Sequence, residues 1–297
     1  MIVTNLNGGL GNQMFQYAFA KRLSIELNSS LSLDYSQLSK YPKVKEKSTN
    51  RDFELGIFNL TETTKINKRK RIMFKILNTL NGIMLNLGCS AIQTSFYYAE
   101  RNISFCTNIN TISKNCYIIG YWQSYKYFES IEHIIRKEFK FPPFCKKQNH
   151  FYSKQIQESN SVAIHIRRGD FLQEKNQSVH GICTIEYYQN AIRIISNLIA
   201  NPTFFIFSDD SKWVIDNFNI SHEKFIVTGN FNTNSFRDMQ LMSMCKHNII
   251  ANSSFSWWGA WLNSNPSKIV IAPKNWYSAT ELNELTEDLI PKEWKRI

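Results

Sequence analysis

An α/β fold is predicted for this chain of 297 residues by three observations. In the second half, short apolar runs alternate with amphipathic stretches. Near the start, a β-branched run leads through a glycine-rich turn into a helical pattern. Between the two, Phe141-Pro142-Pro143 and the polar run Lys146-Lys147-Gln148-Asn149 interrupt both kinds of regularity. Short apolar strands alternating with helices mean a parallel sheet covered on both faces. The prolines and the polar run continue neither pattern, so two domains are expected, 1–145 and 146–297.

Taken in order, Ile2-Val3-Thr4 reads as a strand and Gly8-Gly9-Leu10-Gly11 as a turn. From 12 to 27, Met14, Phe15, Ala18, Phe19 and Leu23 recur at helical spacing. Residues 31–35 read as the next strand, and 36–64 give no regular signal. Residues 65–87 set Lys68, Arg69, Lys70, Arg71 and Lys75 beside Ile72, Met73, Phe74, Ile76 and Leu77. That composition suits a helix with one solvated and one packed face. The sharper alternative is a basic amphipathic helix resting peripherally on an anionic membrane. Residues 117–123 read as strand and 125–139 as helix. Beyond the break, strands are expected at 161–166, 203–207, 224–228, 247–251 and 268–272, with helices at 184–199, 211–218, 235–245 and 255–264.

Charge and composition narrow the function classes. The net charge of +11 lies wholly in residues 1–150, which hold 21 basic and 10 acidic side chains, whereas 151–297 hold 14 of each. An anionic partner surface is therefore to be sought in the first half. The sequence pI of about 9.3 raises nucleic acid as a partner. No binding module is recognisable and the second half is neutral, so none is expected. A 43% hydrophobic content excludes global disorder. No run of 18 apolar residues occurs, and the start lacks a basic and then apolar leader. The six cysteines form no C-x-x-C pair and read as free thiols. A soluble, cytoplasmic protein is expected.

In a parallel sheet, ligands bind beyond the carboxyl ends of the strands. Strand 161–166 is followed by Arg167-Arg168-Gly169-Asp170. Two guanidinium forks there suit a diphosphate, and Gly169 permits close backbone approach. The same residues also read as a surface Arg–Asp pair around an ordinary turn. After 203–207, Ser208-Asp209-Asp210-Ser211 reads mainly as a helix cap. No D-x-D triplet and no His/Cys ligand spacing point to a metal. After 247–251, Asn252-Ser253-Ser254-Phe255 opens a helix whose free N–H groups and dipole favour an anion, while Trp257, Trp258 and Trp261 read as core. Gly8-Gly9-Leu10-Gly11-Asn12-Gln13 is another polar turn after a strand, though not the dinucleotide fingerprint. Polar loops at strand ends in both halves suggest a cleft between two α/β domains.

The segments 8–18 (GGLGNQMFQYA), 120–128 (GYWQSYKYF), 165–170 (HIRRGD), 206–213 (IFSDDSKW) and 249–262 (IIANSSFSWWGAWL) together resemble the family 11 glycosyltransferases, the bacterial and animal galactoside α-1,2-fucosyltransferases. The resemblance implies a GT-B fold, two Rossmann-like domains facing across a cleft, with GDP-fucose on the C-terminal one. It implies inverting transfer of fucose to the 2-hydroxyl of a terminal galactose, without metal or other cofactor. The acceptor would be a galactose-terminated glycan, lipid-linked in O-antigen synthesis. Carried over by motif, Arg167 and Arg168 grip the pyrophosphate, and His165 lies against the nucleotide. Asn252, Ser253, Ser254 and Phe255 bind phosphate and frame the base, and Asp238 reads guanine. Gly11 and Asn12 line the fucose side, and Tyr121, Trp122 and Gln123 stand on the acceptor side. Asp170 is the first choice of general base, with Glu174 and His180 as rivals in the following loop.

Overall fold

The computed structural model describes residues 1–36, 38, 52–60, 68–169, 179 and 181–297. The chain divides into two compact units, one formed by residues 1–140 with 287–289, the other by 141–286 with 290–297.

The first unit is built on a four-stranded parallel sheet of β1 (Ile2–Asn5), β2 (Leu31–Asp34), β3 (Tyr97–Ala99) and β4 (Tyr117–Ile119), in the order β2-β1-β4-β3. All four strands are almost wholly buried, which is why they read as apolar runs rather than alternating ones. Helix α1 (Leu10–Glu26) follows β1 and buries most of its length. Its Phe15 and Phe19 pack on Phe128 and Trp122. Its Tyr17 hydroxyl donates to Glu138 Oε2 at 2.7 Å, and Lys21 pairs with Glu138 Oε1 at 2.9 Å. Helix α2 (Lys68–Asn86) lies over Tyr97 and Tyr117 through Phe74. The stretch 125–139, expected as one helix, is two 3-10 turns followed by α3 (Glu132–Glu138). Phe128, at φ −138° and ψ 12°, breaks the helical run.

The second unit carries six parallel strands: β5 (Asn160–Ile166), β6 (Pro202–Ser208), β7 (Lys224–Ile226), β8 (His247–Ile249), β9 (Val270–Ala272) and β10 (Lys295–Arg296). Their order is β10-β9-β8-β5-β6-β7. Counted within the unit, this is the 3-2-1-4-5-6 winding of a Rossmann sheet. Alternate residues of β5 enter opposite cores, as the two-residue period requires. Val162, Ile164 and Ile166 meet Tyr188, Ile192 and Ile195 of α5 (Ile185–Leu198). Ala163 meets the other layer, made by α4 (Lys147–Glu158) and α7 (Phe236–Met244). The short α6 (Ser211–Asn217) follows β6, and α8 (Ser254–Leu262) follows β8. Helices α7 and α8 approach so closely that a Cβ on Gly259 would stand 2.9 Å from Met242 Cβ. Helix α9 (Thr280–Glu284) completes the described helices.

All six cysteines are free. Among the described residues, no helix is long and apolar enough to cross a membrane.

Candidate active site

The winding of the second unit reverses between β5 and β8, and the crevice beyond that point is where such sheets take ligands. The Arg loop leaves β5 there and the Asn252–Ser253 turn leaves β8, so the two segments singled out in the sequence become neighbours by topology.

Neighbouring β6 fixes the arginines. In the β5–β6 ladder Ile166 stands beside Ser208, which sets Arg167 next to Asp209. Arg167 Nη1 lies 2.9 Å from Asp209 Oδ2, and the backbone N–H of Arg168 donates to Asp209 Oδ1 at 2.9 Å. Arg168 stacks its guanidinium 3.7 Å above the Trp213 ring, with Nε 3.8 Å from Asp210 Oδ2. Asp210 also caps α6, accepting from the Trp213 N–H at 3.1 Å. The cap reading of Asp209-Asp210 therefore holds for Asp210. Asp209 does something else: it anchors both arginines. Gly169 is required here, because a Cβ would meet Asp209 Oδ2 at 2.6 Å.

His165, at the end of β5, is buried, with its ring centroid 5.7 Å from that of Phe255. Burial and the nearby Arg167 charge push its pKa down to about 3, so it is neutral near pH 7. Its Nδ1 has no hydrogen-bond partner among the described residues. On the β8 side, Ser253 Oγ caps α8 by accepting from the Phe255 N–H at 3.3 Å. The start of α8 thus puts a positive dipole end at the strand end next to the Arg loop. Asn252 faces inward. Its Nδ2 donates to the Trp276 carbonyl at 3.1 Å, and its Oδ1 accepts from Cys183 Sγ at 3.4 Å, so it ties adjoining loops rather than standing open. Trp257 and Trp258 are fully buried and Trp261 nearly so, as core residues.

Asp238 lies in the first turn of α7, where Asn230 Nδ2 donates to its Oδ1 at 2.8 Å. Asn230 is itself locked in a reciprocal amide pair with Asn149, at 2.9 and 3.0 Å. Burial raises the Asp238 carboxyl to about 7, and the single amide donor only partly offsets that rise. Asp170, Glu174 and His180 lie outside the described residues.

In the first unit the reversal falls between β1 and β4. Beyond it, Gln123 Nε2 donates to Asn12 Oδ1 at 2.8 Å, joining two sequence-predicted positions. Gly8, at φ +75°, sits so close that a Cβ would stand 2.5 Å from Asn12 Nδ2. Gly11 is buried in the first turn of α1. Tyr121 is exposed. Trp122, expected on the acceptor side, offers no exposed aromatic face. Its backbone takes φ +55°, and its ring is buried against Phe19, Tyr98 and Tyr127. A residue that the sequence did not mark holds this turn: Glu100 accepts from the N–H groups of Tyr121 at 2.6 Å and Trp122 at 3.0 Å. Burial raises its carboxyl to about 7. Among the described residues no cluster of three His, Cys, Asp or Glu side chains suits a metal ion.

The family model described as Glycosyl transferase family 11 matches residues 1–297. The chain is 36% identical over 305 residues to an alpha-1,2-colitosyltransferase of Escherichia coli, covering 100% of this chain and 99% of that one. It is 35% identical over 310 residues to the O-antigen biosynthesis glycosyltransferase WbnK of Escherichia coli, covering 95% and 97%. Among solved structures it resembles a GDP-bound mutant of Arabidopsis thaliana FUT1, with a TM-score of 0.50 and 11% identity over 94% of this chain and 72% of that one, a likeness of fold alone. With parallel-sheet α/β units of the GT-B class and a family match along its whole length, the chain belongs to glycosyl transferase family 11.

Proposed function

We propose that this glycosyltransferase moves L-fucose from GDP-β-L-fucose to the 2-hydroxyl of a terminal galactose, inverting the anomeric centre and using no metal, in the building of surface glycans such as O-antigen. The observation that carries the reading is the pair of arginines at the end of β5, anchored by Asp209 and Trp213, with the N-terminus of α8 opening after the neighbouring β8. Such an arrangement suits a diphosphate whose charge grows as it leaves. The galactose oxygen forms the new bond to the fucose C1 as the C1–O bond to the β-phosphate breaks. GDP departs with that electron pair, and the hydroxyl proton passes to a base.

Each residue has a stated part in this reading. Arg167 and Arg168 take the growing phosphate charge, Ser253 and Ser254 at the start of α8 bind the remaining oxygens, and Phe255 frames the base. Asp238, when ionised, accepts from guanine N–H donors. His165, its pKa pushed down to about 3, binds a proton too weakly to serve as the base and is a nucleotide contact. Asp170 is the proposed base, ahead of Glu174 and His180. Gly11 and Asn12 bound the fucose side, and Tyr121 and Gln123 the acceptor side. The match to a colitosyltransferase favours one second reading, a GDP-linked 3,6-dideoxy sugar as donor.

The test is GDP release in EDTA with lactose as acceptor, comparing GDP-fucose, GDP-colitose and GDP-mannose, with Arg167→Ala alongside. Acceptor-dependent release from GDP-fucose that survives chelation and is lost in the variant supports the first reading; NMR of the product then reports the linkage. Release from GDP-colitose alone selects the second. Release abolished by EDTA and restored by a divalent cation overturns the metal-free step.

A further inference from the structure

Helix α2 is turned inside out for a helix of a water-soluble unit. Its inward face is Phe74, Asn78 and Asn81. Phe74 stacks on Tyr117 at 4.2 Å between centroids. Asn78 Nδ2 donates to the Tyr117 hydroxyl at 3.2 Å, and its Oδ1 accepts from the Tyr97 hydroxyl at 2.8 Å. Asn81 Oδ1 accepts from the Ile92 N–H at 2.7 Å. These contacts fix the rotation of the helix about its axis. They leave Ile72, Met73, Ile76, Leu80, Ile83 and Leu87 outward, each between 42% and 75% exposed. At about 100° per residue these six fall within one stripe roughly 100° wide. An outward apolar stripe of this size on a surface helix marks an interaction face.

Charge says what covers it. The exposed Arg69, Lys70 and Arg71 stand at the N-terminal end of the helix, and Lys75 follows one turn later along one border of the stripe. The sequence has no Asp or Glu between Glu62 and Glu100. A second copy of this helix would bring the same cations and no acid to meet them, whereas an anionic lipid surface supplies both apolar depth and negative charge. The helix is about 28 Å long and would lie in the plane of the interface. It does not span.

We propose that α2 is a membrane-surface helix that docks this chain on anionic lipid, with the Ile72–Leu87 stripe entering the headgroup boundary and Arg69–Arg71 on the phosphates. This inference does not depend on which sugar the enzyme transfers.

The experiment is co-sedimentation of the full chain with vesicles of pure phosphatidylcholine, or of phosphatidylcholine with about one-third phosphatidylglycerol. Two variants run beside it: Arg69→Gln/Lys70→Gln/Arg71→Gln, and Ile76→Asn/Leu80→Asn. Both alter exposed positions, and matched circular dichroism melts confirm that they fold. Binding at least tenfold stronger to anionic vesicles is expected, weakening with salt. Each variant should lose at least tenfold. Equal binding to both vesicle types, or anionic binding untouched by either variant, overturns the proposal. A dimer that Ile76→Asn/Leu80→Asn dissociates, with no vesicle binding, overturns it too and assigns the stripe to a second copy.

Discussion

Asp209 and Arg167 meet at 2.9 Å across two neighbouring strands, while the other oxygen of the same carboxylate takes the Arg168 backbone N–H. One side chain thus holds the Arg167 guanidinium and the Arg168 backbone. Arg167→Ala, which removes the group proposed to meet the leaving diphosphate, should lower kcat/KM about 10²–10³-fold. Asp209→Asn keeps the size and loses the ion pair. Its expected cost is about 10–100-fold, most of it in donor affinity read by GDP titration, with catalysis by prebound donor less affected. An Asp209→Asn enzyme that binds GDP like the wild type would remove the anchoring role.

The proposed guanine contact at Asp238 predicts a dependence of donor binding on pH. Its folded carboxyl sits near 7, so it is half protonated there and largely a neutral acid one unit below. A guanine needs the ionised acceptor. GDP affinity should therefore rise with pH through about 7, approaching tenfold per unit on the acid side. Calorimetric titration from about pH 5.5 to about pH 8 checks this. In Asp238→Asn the profile should be flat and the binding weak; a wild-type profile as flat as the variant's would take Asp238 out of base recognition.

The turn at Gly8 should be intolerant of a side chain. Gly8→Ala puts a Cβ into a left-handed backbone and 2.5 Å from Asn12 Nδ2. The backbone conformation alone costs about 1–2 kcal/mol, and the clash displaces the amide that Gln123 holds. Urea unfolding of Gly8→Ala should show at least that loss, with kcat/KM falling in step as Asn12 shifts. A variant of wild-type stability and activity would contradict the crowding.

Glu100 makes an opposite kind of contribution. Its folded carboxyl is raised from 4.5 to about 7. Below pH about 4.5 it is protonated in both states and does no harm; as pH rises through about 7 the folded state must ionise a buried group, and stability is lost. Melting temperature between these values should fall more steeply for the wild type than for Glu100→Gln. Parallel curves would show that the carboxylate is satisfied by its two amide donors.

The second unit was largely legible, because strands buried on both faces must be continuous apolar runs, and β5, β6 and β8 are. What escaped has physical reasons. Helix α4 is polar and starts four residues after the double proline, and Tyr152 and Ile156, one turn apart, are its main apolar anchors. Strands β3 and β10 are three and two residues long, too short for any period. The anchoring by Asp209 was hidden because Asp210 beside it satisfies the cap, and the pairing with Arg167 exists only through the β5–β6 ladder. Trp122 misled for a backbone reason. Its positive φ carries the ring into the core, and Glu100, 22 residues earlier, makes that turn possible.

The β5–β6 ladder runs unbroken over seven residue pairs and ends one step before Arg167 and Asp209. Slipping one strand by a single residue would send each of its side chains into the opposite core layer. The clamp is therefore specified less by the identity of its three ionic groups than by the count of residues that precedes them. A deletion of one residue anywhere inside either strand would sever it with all three groups still present. Transplanting Arg-Arg-Gly to another strand end would not rebuild the Arg167–Asp209 pair unless the neighbouring strand were also cut to matching length.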